Sequence, residues 1–344
     1  MSATLSGNVK RIALGLILFF FVSFAALAGW FFQFTGSVAE GSISQGVAVV
    51  IPKGSTVQEI NTILAEQKLV PEDIRFLLLA RYLGIATRLQ AGEFELHRGQ
   101  TAEELLFELS SAKPVQHPVT IPEGLVIDEI AAIFANGGWC DRETYNRLAH
   151  DSAFIAHLGL GQLQSLEGYL YPDTYYLTRR GHDAADLIRM QVRHYFAVWN
   201  TLKEGKETEL SPYEVLILAS MVEKEAGRAS ERPVIAGVFL NRLKKRMRLQ
   251  SDPTVIYGIE NFSGPITKTN LRTPTPYNTY TIAGLPVAPI CNPGKDALYA
   301  VLVPEKTDFL YFVSKGRGQH HFSKTLREHN RAVYKYLRAP KKKK

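Results

Sequence analysis

The chain has 344 residues, which is enough for one large domain or for a small domain beside a mid-sized one. Hydrophobic residues make up 46% of it, so a buried core is expected. Its formal net charge of +7 suits an anionic neighbourhood such as a lipid surface or a cell-wall polymer. The sequence has no RNA-binding aromatic signature or zinc-finger spacing, and therefore gives little support to a nucleic-acid partner. It also has no Walker A loop or dinucleotide-binding glycine pattern.

An uncharged segment over residues 12–32 predicts a transmembrane helix. At about 1.5 Å per residue it spans roughly 31 Å, the thickness of a bilayer core. Lys10 and Arg11 precede it, so the positive-inside rule puts residues 1–11 in the cytoplasm and the remainder outside. A cleaved signal peptide is the alternative, because residues 26–28 (Ala-Leu-Ala) resemble a cleavage site. The apolar run continues past them, which favours an uncleaved anchor.

A strand–turn–helix pattern follows three times. Residues 33–47, rich in Gly and Ser, are first predicted to form a flexible tether. Copies of the pattern then begin at Val49, Phe94 and Val119, and the strongest two share Ile-Pro-x-Gly before an amphipathic helix. The turns are expected at Gly54, Gly99 and Gly124. Three unevenly spaced units are too few for a solenoid and indicate a compact α+β module instead.

The stretch LILASMVEKEAG, residues 216–227, runs from apolar residues into two glutamates. Ser211 and Glu214 predict a capping box at the start of this helix, and its apolar residues point in all directions, as in a fully buried helix. Glu223 lies near the negative end of the helix dipole among apolar neighbours, and both effects would raise its pKa, as a general acid requires. Glu225 lies about 200° around the helix, so the two glutamates cannot share one cleft; we expect one to face the site and the other to face solvent or Arg228. The alternative is that both glutamates are solvated helix-end residues.

Four sequence blocks carry a family resemblance. The longest is LASMVEKEAGRASERPVIAGVFLNRLKKRMRLQSDPTVIYGI, over residues 218–259. The others are LEGYLYPDTYYL (166–177), TPYNTYTIAGLPVAPICNPG (275–294) and HHFSKTLREHN (320–330). In content and order they resemble the endolytic murein transglycosylases, the MltG or YceG-like family. Two departures concern loops: Val287-Ala288 stands where the family pattern has Pro-Gly, and Gln319 stands where it has Gly.

The resemblance implies an α+β protein of the bacterial inner membrane that cuts nascent peptidoglycan strands in the periplasm and ends their elongation. Its parts would be a cytoplasmic stub (1–11), one transmembrane helix (12–32), a tether (33–47), a small LysM-like α+β module (48–115), a larger α+β catalytic domain (116–338) and a basic tail (339–344). Peptidoglycan glycan strands, the inner membrane and peptidoglycan synthases would be its partners. No metal or organic cofactor is implied, and no nucleic acid.

By the same resemblance Glu223 would be the catalytic residue, acting first as acid and then as base while the MurNAc C6 hydroxyl closes a 1,6-anhydro ring. A water-using muramidase would instead need a second carboxylate. Its candidates are Glu231, Asp252, Glu167 and Asp173, and a non-catalytic wall-binding scaffold also stays open. The predicted substrate-binding residues are Gln250, Ser251, Asp252, Thr254, Tyr277, Asn278, Thr279, Tyr280, Tyr171 and Asp173, each with a structural role as the alternative. Whether Cys140 and Cys291 pair is left open.

Overall fold

The computed structural model describes residues 2–36, 38, 46–111, 113–179 and 182–338 and combines helices with small two-stranded sheets. The predicted tail 339–344 and most of the predicted tether lie outside these residues. The chain divides into two compact units: residues 1–117 with 176–182, and residues 118–175 with 183–344. The mixed fold agrees with the expected α+β class.

The first unit begins with the helix α1 (Ser2–Thr35), in which Lys10–Thr35 is long and apolar enough to cross a membrane. Its remaining elements are β1 (Gly46–Ile51), α2 (Val57–Glu66), α3 (Ile74–Tyr82), β2 (Gly92–His97) and α4 (Ala102–Ser111). Strands β1 and β2 pair antiparallel, from Gly46 opposite His97 to Ile51 opposite Gly92. Residues 33–35, predicted as the start of the tether, are helical instead, and Phe34 is 1% exposed within the core of this unit. Apolar contacts therefore extend the helix past the predicted boundary.

Strands β3 (His117–Thr120) and β4 (Thr174–Leu177) pair with each other. The second unit contains α5 (Ile127–Asn136), α6 (Arg142–Ala149), α7 (Ser152–His157), α8 (Ala184–Lys203), α9 (Pro212–Glu225), α10 (Arg232–Lys244), α11 (Asp252–Tyr257), α12 (Lys268–Arg272) and α13 (Lys295–Leu302). A hairpin of β5 (Tyr311–Gly316) and β6 (Gln319–Ser323) and the helix α14 (Leu326–Val333) complete it. Cys140 and Cys291 are both free thiols.

The strand–turn–helix prediction is confirmed at all three positions. Gly54, Gly99 and Gly124 have φ angles of 85°, 88° and 79°, which glycine adopts readily and residues with a Cβ do not. β1 precedes α2, β2 precedes α4, and β3 precedes α5, so each glycine turn joins a strand to a helix.

Helix α9 is the centre of the second unit. Ser211 accepts from the Glu214 backbone and Glu214 caps Ser211 in return, so the predicted capping box is confirmed. Every residue from Val215 to Val222 is buried, and α9 packs against α10 and α13. The last turn of this helix carries Glu223 and Glu225 into two different polar surroundings.

Candidate active site

Glu223 lies in a buried ion pair at the end of α9. Its Oε1 accepts from Arg232 Nη2 at 2.7 Å, and its Oε2 accepts from the backbone N–H of Gly294 at 3.1 Å. The Glu223 side chain is only 7% exposed. Both carboxyl oxygens therefore have a hydrogen-bond donor, whereas the sequence had suggested apolar surroundings.

Glu123 is a second carboxylate on Arg232 and was not among the predicted residues. Arg232 Nη2 donates to Glu123 Oε2 at 3.2 Å, and Arg232 Nη1 lies 3.9 Å from Asp296 Oδ2. Burial, and then the charge of Glu223, raises the pKa of Glu123. The sequence signal was the repeat itself: the position between Pro and Gly holds Lys53 in the first copy and Glu123 in the second. Only the fold shows that this turn lies against the end of α9.

Glu225 occupies the other side of the same helical turn and is also held by a polar partner, so the expectation that one of the two glutamates faces solvent or Arg228 is wrong. Its Oε1 accepts from Ser251 Oγ at 2.6 Å. Burial raises the pKa of Glu225 to about 7; the Ser251 hydrogen bond opposes this effect, and the charge of Asp252 adds to it. The physical argument for a raised pKa at the end of α9 therefore applies to Glu225.

Glu225 borders a cavity of about 260 Å³. The cavity is lined by Glu225, Arg242, Gln250, Asp252, Tyr280, Tyr311, Phe312, Leu326 and His329. Tyr280 Oη donates to Asp252 Oδ1 at 2.7 Å, and the His329 ring stacks on Tyr311 with 5.3 Å between centroids. Among the described residues, His329 Nδ1 has no hydrogen-bond partner. Carboxylates and aromatic rings that line one cavity are side chains suited to holding a polar ligand.

Several of the other predicted residues build the wall behind this cavity. Ser251 N donates to Thr279 Oγ1 at 2.9 Å, and the Thr254 and Thr279 hydroxyls lie 2.9 Å apart. Asn278 Nδ2 donates to the backbone oxygen of Thr273 at 2.7 Å, and the rings of Tyr277 and Tyr257 are 4.8 Å apart. These buried contacts fix the loop that presents Gln250, Asp252 and Tyr280. Of the ten predicted substrate-binding residues, those three line the cavity.

Tyr171 and Asp173 lie away from that cavity wall. The Tyr171 ring lies 4.8 Å from the His194 ring, and His194 Nε2 lies 3.4 Å from Asp173 Oδ2. Burial, and then the charges of Asp173, Glu123 and Asp296, raises the pKa of Tyr171 to about 12. Tyr171 therefore belongs to the Glu123 side of α9.

Two of the four candidate second carboxylates, Glu167 and Glu231, are held in hydrogen bonds to other segments of the chain. Glu167 is buried and accepts from Asn292 Nδ2 at 2.7 Å and Tyr257 Oη at 3.0 Å; burial raises its pKa to about 8. Glu231 accepts from both the backbone N–H and Nδ1 of His320, at 2.9 and 2.8 Å. Within the described part of the chain, no group of three or more His, Cys, Asp or Glu side chains is arranged to hold a metal ion.

The chain matches the family model described as "YceG-like family" over residues 49–335. The chain belongs to the YceG-like family. This YceG-like chain is 34% identical over 306 residues to "Endolytic murein transglycosylase" of Bacillus subtilis (strain 168), with 85% of each protein covered. It is 30% identical over 327 residues to the protein of the same name from Streptococcus pneumoniae serotype 2, covering 85% of this chain and 58% of that one. A solved structure of a Listeria monocytogenes protein described as YceG-like has a TM-score of 0.58 and 33% identity and covers 83% of this chain and 98% of the other.

Proposed function

We propose that this chain is an endolytic lytic transglycosylase. It cleaves MurNAc–GlcNAc bonds within nascent peptidoglycan strands, leaves 1,6-anhydroMurNAc ends and thereby terminates strand elongation. Family membership and the names of the relatives from Bacillus subtilis and Streptococcus pneumoniae support this activity.

The observation that carries the mechanism is a carboxyl group with a pKa of about 7 beside a polar cavity, which is Glu225. A group with this pKa is partly protonated at neutral pH and can both give and take a proton. Glu223, the residue implied by the family resemblance, has both oxygens bound by Arg232 and Gly294. We therefore assign acid and base catalysis to Glu225 and a supporting role to Glu223.

In the reaction, Glu225 in its protonated form donates its proton to the glycosidic oxygen as the bond from that oxygen to MurNAc C1 breaks. Positive charge develops at C1, and the Asp252 carboxylate in the same cavity stabilises it electrostatically. The Glu225 carboxylate then takes the proton of the C6 hydroxyl while the C6 oxygen bonds to C1. The proton on Glu225 is restored, the anhydro ring is closed, and no water is consumed. One carboxyl is thus sufficient for the proton transfers.

The architecture that we propose has the chain anchored in the inner membrane by α1, with both later parts in the periplasm. The apolar length of Lys10–Thr35 supports the anchor, and the two basic residues before residue 12 support the orientation. Residues 48–115 would be a LysM-like wall-binding module and residues 116–338 the catalytic domain; the division of the chain into two compact units near residue 117 supports this assignment. Peptidoglycan synthases, which make the substrate, are the proposed protein partners, and no cofactor is required.

The test is mass spectrometry of glycan ends after the detergent-solubilised full chain has digested uncrosslinked strands. Glu225→Gln and Glu223→Gln are matched controls for each other, since both remove one carboxylate from the same helical turn. We expect internal fragments with 1,6-anhydroMurNAc ends from the wild type, none from Glu225→Gln, and reduced but detectable cleavage by Glu223→Gln. Full activity in Glu225→Gln with none in Glu223→Gln would reverse the assignment. Reducing ends from the wild type would make the protein a muramidase, and uncut strands that are still bound would make it a scaffold.

A further inference from the structure

Helix α3 carries an apolar stripe on its exposed surface. Ile74, Leu78 and Tyr82 are 56%, 40% and 71% exposed. They are spaced four residues apart, so each lies about 40° around the helix from the one before, and all three share one face. The opposite face of α3 supplies Phe76 and Leu79 to the core of the unit. A short helix that is apolar on both its buried and its exposed face is suited to binding a second apolar surface, such as a lipid bilayer.

This stripe lies beside the end of α1. The Tyr82 ring meets the Phe31 ring edge-on, with 6.1 Å between centroids. Arg75 Nη1 donates to the Trp30 backbone oxygen at 2.8 Å, and the Arg75 guanidinium lies 4.8 Å from the Trp30 ring and 4.9 Å from the Phe34 ring. Because Phe34 is itself buried in the core of this unit, α3 is fixed directly to the end of the apolar helix.

The length of α1 sets the depth of these contacts in a membrane. From Lys10 to Phe31 the helix rises about 31 Å, which is the thickness of the hydrocarbon core. With Lys10 at one boundary, Trp30 and Phe31 lie at the other, where aromatic side chains concentrate. Tyr82 contacts Phe31 and must lie at the same level. The exposed Arg81 beside it can reach phospholipid headgroups.

We propose that the exposed face of α3, formed by Ile74, Leu78 and Tyr82, is seated in the outer interface of the bilayer that α1 spans. This inference rests on the proposed membrane anchor and adds a second, monotopic contact to it. The occupant is the lipid itself, because the stripe continues the apolar surface of the spanning helix. The first unit is then held against the membrane surface rather than moving freely on a tether.

The experiment uses the full chain with Cys140→Ser and Cys291→Ala, reconstituted in vesicles of phosphatidylethanolamine and phosphatidylglycerol. An environment-sensitive fluorophore is attached at Leu78→Cys or Tyr82→Cys on the stripe, at Gln58→Cys on the exposed surface of α2 as matched control, or at Phe20→Cys in α1. Lipids with brominated acyl chains quench fluorophores that reach the hydrocarbon boundary. Circular dichroism verifies the fold of each labelled variant.

We expect a blue shift and at least twofold quenching at positions 78 and 82, with little of either at 58. Strong quenching at 20 reports the anchor independently. Quenching at 20, with positions 78 and 82 behaving like 58, would overturn the seating of α3 while leaving the anchor in place. Absence of quenching at all four positions would overturn the anchor, and the proposal with it.

Discussion

Removing the hydroxyl of Ser251 tests whether the protonation of Glu225 controls catalysis. Ser251 Oγ donates to Glu225 Oε1 at 2.6 Å, and this bond holds the pKa of Glu225 below the value that burial alone would give. A hydrogen bond to a charged group contributes about 1.5–3 kcal/mol to stability, and part of this contribution persists when the carboxyl is protonated. If the carboxylate loses about 1.4 kcal/mol of stabilisation relative to the protonated carboxyl, the acid dissociation constant falls about tenfold, which is a pKa change of about one unit. Ser251→Ala should therefore raise the pKa of Glu225 from about 7 to about 8.

The sign follows from the role of Glu225 as acid. The free enzyme must hold the proton, so kcat/KM should fall as the pH rises through the pKa of about 7 in the wild type. In Ser251→Ala the same fall should occur about one pH unit higher. The assay is the initial rate of formation of 1,6-anhydroMurNAc ends at low substrate concentration across the range of about pH 5 to about pH 9.

Ser220→Ala is the matched control for this prediction. Ser220 is also buried and lies in α9, and within the described part of the chain its hydroxyl bonds only to backbone groups, those of Ile217 and Ile290. Its removal should change stability without moving the midpoint of the pH profile. If the midpoint in Ser251→Ala equals that of the wild type, or lies lower, while the variant stays folded, the reasoning that connects Glu225 to the chemistry is refuted.

Two further predictions concern stability. Since burial raises the pKa of Glu225 from 4.5 to about 7, its stabilising effect as a neutral group is present below about pH 4.5 and is lost as the pH rises through about 7. At about pH 8 the free energy of unfolding of Glu225→Gln, measured with urea, should therefore exceed that of the wild type by up to about 3 kcal/mol. At about pH 4 the two free energies should be equal. An equal difference at both pH values would contradict this. Arg232→Met should lower the free energy of unfolding by about 3–5 kcal/mol, because Glu223 is left buried with one donor. The double variant Arg232→Met with Glu223→Gln should lose less stability than the sum of the two single variants. Additive losses in a urea-unfolding cycle would show that the pair is uncoupled.

The features that could be predicted from the sequence are those whose causes lie within a few residues. The capping box joins Ser211 and Glu214, which are only three positions apart, and it fixes the start of α9 whatever surrounds it. The turns at Gly54 and Gly124 follow likewise from a local demand for positive φ. Length and apolar content were sufficient to predict α1, although its end was placed too early because burial of Phe34 depends on residues much later in the chain, in the core of the first compact unit.

The role of each glutamate could not be assigned in this way. Helical geometry separates Glu223 from Glu225 around α9, and that separation is observed. Which of them meets a cavity depends on Ser251, 26 residues after Glu225, and on Gly294, 71 residues after Glu223. Desolvation raises the pKa of the Glu225 carboxyl in the last turn of α9, but the same reasoning, applied to the sequence alone, could not choose between the two carboxylates in that turn. The repeat marks the position of Glu123, but no local pattern predicts its contact with Arg232, 109 residues later.

The two sides of the α9 terminus complement each other physically. A carboxyl keeps a raised pKa only where it is poorly solvated, yet the last turn of a helix tends to fray into water. In this chain the ion pair of Glu223 with Arg232 and the bond from Gly294 hold that turn in place on one side. Glu225 can then stay poorly solvated on the other side beside an open cavity. In the proposed mechanism, the charged cluster around Arg232 therefore contributes through geometry, while Glu225 makes the proton transfers.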